Sequence, residues 1–227
     1  MVKILPYDPK VEIIWSTPNP VEVVTRACSN TQKGIFAQKV SPNAALVQFL
    51  YSAEHGNPLE HAVISFDITQ ISRACADQLR THRITSPTMS STHYQDHSDY
   101  PHRVSLAMVD EPYVVNSINC AMEMYHECIA HRGMLKEDAR QLLPLSTEVR
   151  YILTVNAQSL AHMLYTRMCY RNTIETILCA ERMHRAAMTW FPELFAHVGP
   201  SCDEGSCKEG KMRCDMAQVH ERLSQYD

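Results

Sequence analysis

Apolar residues recur along this chain with two periods, and the switches between them mark out its elements. Val11-Glu12-Ile13-Ile14-Trp15 reads as a first strand. Asn19-Pro20 followed by Val21-Glu22-Val23-Val24 reads as a capped helix start, with proline in the first turn, where its missing N–H costs nothing. Ser41-Pro42-Asn43 repeats that start signal, and Leu46, Phe49 and Leu50 then recur at helical spacing. Ile64, Phe66 and Ile68 alternate with Ser65 and Asp67, the period of a half-buried strand, and a short helix over Ser72 to Leu79 follows.

After a polar, proline-interrupted loop around Asp96 to Arg103, Pro112 to His131 predicts a long amphipathic helix with Val115, Ile118, Met122, Tyr125 and Ile129 on one face. A short helix from Lys136 to Leu142 stops at Pro144. Val149, Tyr151, Leu153 and Val155 alternate as a second clear strand. Asn156 opens a helix to about Tyr170, and another runs from about Thr173 to Trp190. Few strands, many helices and no βαβ regularity give the α+β class, with a small antiparallel or mixed sheet packed against several long helices. Residues 1–200 read as a single domain and 201–227 as a cysteine-containing C-terminal tail.

Composition narrows the function classes. The 227 residues suit one large fold, and with 45% hydrophobic and 20% charged residues the chain reads as globular. A net charge of -4 argues against broad nucleic-acid binding, so any basic function is local. No apolar run is long enough to span a membrane, and Met1 to Pro6 is too short and broken for a secretory signal, so a cytoplasmic protein without a membrane partner is expected. Nine cysteines, an odd number, fit reduced thiols better than a disulfide framework. With six glycines the chain holds neither a Walker-type loop nor a GxGxxG.

The densest chemistry is Gln78-Leu79-Arg80-Thr81-His82-Arg83, followed after seven residues by Ser91 in Ser90-Ser91-Thr92-His93-Tyr94. Cationic side chains, hydroxyls and an amide this close together offer donors to several oxyanions at once, as a phosphorylated ligand requires. The tail carries Cys202-x4-Cys207-x6-Cys214 near His197 but lacks the close CxxC pairs of common zinc sites. A flexible tail with reduced thiols and no metal is the expectation.

The loop resembles the signature of the flavin-dependent thymidylate synthases, which carry Arg-His-Arg-x7-Ser after a segment similar to Ser72-Arg73-Ala74-Cys75-Ala76-Asp77-Gln78-Leu79. Asn57-Pro58-Leu59-Glu60-His61 resembles the family's Pro-x-Glu-His, and Ala139-Arg140-x-x-Leu143-Pro144 its Ala-Arg-x-x-Leu-Pro. Thr154-Val155-Asn156-Ala157 and Arg167 fall at the family's intervals, so the similarity runs from about residue 11 to 214. It implies a homotetramer with active sites at subunit boundaries, FAD as cofactor, and C5 methylation of a uracil nucleotide, dUMP by default. Methylenetetrahydrofolate and NADPH are the implied co-substrates, and no cysteine attacks the pyrimidine.

The resemblance assigns Arg167 to the pyrimidine as the catalytic residue. Asn156, Met163 and Arg167 share one face of their helix, and a guanidinium there stabilises negative charge growing on the ring. Arg140 would clamp the nucleotide phosphate, with Gln78, Ser91, Thr92 and His93 as further nucleotide contacts. His61 beside Glu60, Arg80, Thr81, His82, Arg83, Met89, Asn156, Gln158 and His162 fall at flavin positions.

Four positions depart from the family. Thr81 stands for the first signature arginine, Met89 for an acidic residue or glutamine, His93 for an arginine after the signature serine, and Gln158 for the arginine after Asn156. Each charge-assisted bond lost to a phosphate costs about 1.5 to 3 kcal/mol unless replaced. Arg80, next to Thr81, is the nearest replacement cation. The departures raise a second reading, the same chemistry on a ribonucleotide such as UMP. A non-catalytic paralogue that binds flavin or nucleotide is a third, and a zinc-binding regulator built on the tail a distant fourth.

Overall fold

A computed structural model describes residues 2–31, 44–200, 202, 207 and 209–226. Among the described residues six strands are present: β1 (Ile4–Pro6), β2 (Lys10–Ser16), β3 (Val63–Ser72), β4 (Thr85–Met89), β5 (His102–Val104) and β6 (Glu148–Asn156). The helices are α1 (Pro20–Thr31), α2 (Ala44–Ser52), α3 (Arg73–Arg80), α4 (Leu106–Val109), α5 (Pro112–Ala130), α6 (Lys136–Ala139), α7 (Ala157–Arg167), α8 (Ile174–Trp190), α9 (Pro192–Phe195) and α10 (Met216–Leu223). The α+β expectation holds. The start signal at Ser41-Pro42-Asn43 lies outside the described residues.

Four strands form an antiparallel sheet in the order β2-β3-β6-β4, and β1 pairs with β5 in a separate parallel ladder. The central pair, β3 and β6, is the one whose apolar alternation was plainest. Ile64, Phe66, Ile68, Tyr151 and Leu153 are fully buried, and Leu160, Met163, Leu164, Met183 and Phe195 from the helices close the same core. Burial of this order supplies about 1.5–3 kcal/mol per large side chain.

β3 corrects one expectation. It is covered on both faces: Ser65 and Asp67 are each only 8% exposed. Ser65 pairs with the Thr154 hydroxyl at 2.8 Å, and the Arg150 guanidinium from β6 lies over the Asp67 carboxylate, Nε to Oδ1 2.9 Å. That pairing holds the Asp67 carboxyl below its ordinary range. Near its end β3 bulges at Gln70, whose φ is 59°, and the shift lets Ile71 and Ser72 rejoin the ladder opposite Val149 and Glu148.

Two strands sit where only loops were expected. β5 begins at the end of the polar Asp96–Arg103 stretch and runs on to Val104, with His102 and Arg103 buried. Arg103 is tolerated there because its Nε donates to Glu148 at 2.6 Å and its Nη1 to the Pro6 carbonyl at 3.1 Å. β4 runs through the signature loop along the sheet edge, the place where Pro87 can join a ladder without an N–H. A second, smaller core of Val104, Ile118, Met122, Tyr125 and Ala139 lies under α5.

The tail is also corrected. Its described part holds α10, capped by Asp215. Tyr226 stacks on Tyr7 at 6.1 Å between centroids and accepts from the Leu106 N–H at 2.9 Å. The described cysteines form no disulfide.

Candidate active site

The two central strands each lead straight into a helix, and each junction is a side-chain cap. Ser72 accepts from the Cys75 N–H at 3.0 Å to open α3, and its own hydroxyl and N–H donate to the buried Glu175 carboxyl at 2.5 and 2.6 Å. Burial pushes the Glu175 carboxyl up to about 7. Asn156 accepts from the Ser159 N–H at 2.8 Å to open α7. Because β3 and β6 are antiparallel, α3 and α7 set out from opposite ends of the pair, and their C-termini meet.

Arg167, last residue of α7, occupies that meeting point. Its Nε donates to His82 Nε2 at 3.0 Å, its Nη1 to Gln78 Oε1 at 2.9 Å and its Nη2 to Thr81 Oγ1 at 2.5 Å, with Asn172 Oδ1 at 3.4 Å. Both helix C-termini present negative dipole ends to the guanidinium. Every partner is neutral, and among the described residues no carboxylate lies within ion-pair distance of Arg167. His82 is kept neutral: burial first, then the Arg167 and His162 charges, pull its imidazole from 6.5 to about 4. The His162 ring stands edge-on to it at 6.1 Å.

Beside this centre is a cavity of about 450 Å³ lined by Glu60, Thr81, His82, Arg83, Gln158 and His162, among others. Gln158 lines two neighbouring cavities as well, and its Oε1 is buried without a hydrogen-bond partner. Gly56 makes that position possible, since a Cβ there would overlap the Gln158 amide.

A second cavity, about 340 Å³, flanks the other side of α3. Arg73, Asp77, Thr92, Arg140 and Thr147 are among the residues that line it, and it shares none with the first. Ser91 and His93 border this region: Ser91 Oγ accepts from the His93 N–H at 3.2 Å, and the His93 ring meets Glu137 at 3.0 Å. Under the loop lies His97, fully buried, its N–H on the Tyr125 hydroxyl at 3.2 Å.

The structure thus gathers Gln78, Thr81, His82 and Arg167 at one centre, with Arg83, Gln158 and His162 around its cavity, and Thr92 with Arg140 in another. Several expected residues stand apart. Arg80 does not share the Thr81 space; it turns to Asp77 at 3.6 Å and lines neither cavity. Met89 packs against the main core, where a thioether is at home. His61 is exposed beside Glu60, and the Asn156 amide oxygen is engaged as a helix cap. Arg73, named only within the Ser72–Leu79 segment, and Gly56 were given no role by the sequence.

The family model described as thymidylate synthase complementing protein, Thy1, matches residues 12–193. A flavin-dependent thymidylate synthase from Geobacter sulfurreducens is 31% identical, with 94% of this chain and 97% of the relative covered. The chain belongs to the flavin-dependent thymidylate synthases. It is therefore an FAD-dependent uridylate methyltransferase, in a family whose co-substrates are NADPH and folate.

Solved structures agree on the fold. A UMP/dUMP methylase PolB from Streptomyces cacaoi bound with 5-Br UMP is 23% identical with a TM-score of 0.71, over 86% of this chain and 96% of that one. ThyX from Helicobacter pylori, complexed with FAD and dUMP, gives a TM-score of 0.70 at 19% identity over 84% and 99%. The first cavity suits a flavin nucleotide: an unpartnered amide acceptor at Gln158, the Arg83 cation at an open lip, and uncharged imidazole at His82. Among the described residues no group of three or more His, Cys, Asp or Glu is placed to hold a metal, and no helix is long and apolar enough to cross a membrane.

Proposed function

We propose that this enzyme methylates C5 of a uracil nucleotide, dUMP by family default, with methylenetetrahydrofolate as carbon donor and NADPH as reductant. The observation that carries this reading is Arg167, a half-buried cation held by neutral acceptors alone. Such a guanidinium keeps its full charge for a pyrimidine carbonyl that gains negative charge as C5 reacts. Gln78 would orient the same ring. Arg140 and Thr92, with Ser91, would hold the phosphate.

FAD supplies the redox chemistry when bound. The residues that would hold it are Arg83, Gln158 and His162 around the first cavity, with His82, Thr81, Asn156, His61, Arg80 and Met89 as weaker candidates. The two cavities share no residue, and Ile84 and Tyr94 of the signature loop are 65% and 77% exposed. Both points support a homotetramer in which other copies complete each site.

The changed set Thr81, Met89 and His93 favours UMP as a second substrate: Met89 packs its apolar chain against the core and cannot offer a sugar hydroxyl the strong acceptor of a carboxylate or amide. The test is turnover of dUMP and UMP by the FAD-loaded protein with both co-substrates, read by product mass. Methylation of either nucleotide supports the reading, and absence of both products overturns it. UMP product at a rate comparable to dUMP supports the second substrate.

A further inference from the structure

We infer that Arg73 is the second guanidinium of the nucleotide-phosphate subsite, paired across the second cavity with Arg140. The inference rests on the uracil-nucleotide reading above. A nucleoside monophosphate brings close to two negative charges at neutral pH. Among the residues named for it so far, Arg140 is the one permanent cation, since the His93 ring is turned to the Glu137 carboxylate at 3.0 Å. One arginine leaves such a phosphate under-neutralised.

Arg73 lines the same cavity as Arg140 and Thr92. Its backbone is tied to the opposite wall, since its N–H donates to the Thr147 carbonyl at 2.9 Å and that of Ala74 to Leu145 at 3.1 Å. The side chain is steered by Asp77, whose two oxygens each lie 3.3 Å from Arg73 Nε. That contact uses the inner nitrogen, and among the described residues the terminal Nη pair, the fork that binds phosphate bidentately, makes no hydrogen bond.

The Asp77 carboxylate also lines the cavity and would repel an anion if unopposed. It is shared with Arg80 at 3.6 Å from the next turn of α3. Two arginines on one carboxylate leave one net positive charge, and Arg140 adds another. Arg80 therefore serves the subsite indirectly: it offsets Asp77 and so frees the charge of Arg73.

The test titrates FAD-loaded wild type and Arg73→Gln by calorimetry with dUMP, UMP and their phosphate-free nucleosides. The expected result is a nucleotide Kd raised about 10- to 100-fold, the range for one charge-assisted bond, with nucleoside binding unmoved and Arg73→Lys regaining part of the loss. Unchanged nucleotide binding, or equal loss of nucleotide and nucleoside, overturns the inference. Should Arg73→Gln fail to fold, Arg73→Lys decides: it keeps the charge but loses the fork, so it weakens nucleotide several-fold and leaves nucleoside alone, and no change overturns the inference. If wild type binds nucleotide no better than nucleoside, the phosphate reading itself falls. If Arg140→Gln loses nucleotide while Arg73→Gln keeps it, only the role of Arg73 falls.

Discussion

Arg167 and Arg103 are both drawn out of water, and their surroundings could hardly differ more. Arg103 has a carboxylate, Glu148, at 2.6 Å and a carbonyl, Pro6, at 3.1 Å. Arg167 has an amide, a hydroxyl and a neutral imidazole. In the first pair positive and negative charge cancel within the protein, and what remains is a clasp joining β1, β5 and β6. In the second the charge is held in place and left uncancelled. On the function proposed above, that charge is kept for a ring carbonyl that turns negative only as C5 reacts.

Truncating each arginine separates these two uses most sharply. Arg103→Ala leaves the Glu148 carboxylate without its partner in a largely buried place and is expected to cost about 3–5 kcal/mol of stability. Its effect on turnover should follow the folded fraction. Arg167→Ala should barely move a urea-unfolding midpoint, because its partners are near the surface, yet lower kcat by about 100- to 1000-fold. If both variants lose stability and activity in parallel, the contrast is broken.

What could be read beforehand follows the same division. The β3–β6 pair and helices α3, α7 and α8 were legible because burial of one stripe of side chains imposes a period on the sequence. Gln78, Thr81, His82 and Arg167 were singled out through a motif, and the helix C-termini do bring them together. β5 was hidden because its buried residues, His102 and Arg103, are polar, and their acceptability depends on partners 44 and 45 positions away. β4 was hidden by Pro87 and by an edge position that demands no apolar alternation. Gly56 shows a third kind of invisibility, since only folding reveals that the amide of Gln158 fills the space of its missing side chain.

That glycine gives the next test. Gly56→Ala must push the Gln158 amide aside, an overpacking cost of about 1–3 kcal/mol. The expected outcome is a lower flavin-to-protein absorbance ratio after purification, with kcat per bound flavin less affected. Gly56→Ala together with Gln158→Ala should recover stability but not flavin content. Recovery of both would mean that the Gln158 acceptor has no part in binding.

Proton linkage probes the neutral side of the comparison. Burial holds His82 and His102 near 4 and His97 below its ordinary 6.5. For such groups the unfolded chain binds more protons than the folded one between the two values. Their contribution is complete above 6.5 and is lost as pH falls toward 4. Glu175, raised from 4.5 to about 7, works in the opposite sense: its contribution is complete below 4.5 and is lost as pH rises through 7. Urea midpoints against pH should therefore fall on the acid side. His82→Gln, which keeps an acceptor for Arg167, should flatten that fall, and Glu175→Gln should remove the decline between 4.5 and 7. Unaltered profiles in both variants would contradict these assignments.

The smallest effect concerns Asn156, whose amide oxygen caps α7 at 2.8 Å while its family position suggests a flavin contact. The cap sets where α7 begins, and so where Arg167 arrives eleven residues later at its far end. Asn156→Ala should cost about 1 kcal/mol as a lost N-cap. Asn156→Ser keeps a capping oxygen on a shorter side chain with no amide to offer. Stability restored with flavin affinity equal to wild type would make Asn156 a capping residue alone. Restored stability with weakened flavin binding would show one side chain serving both the helix that aims Arg167 and the cofactor beside it.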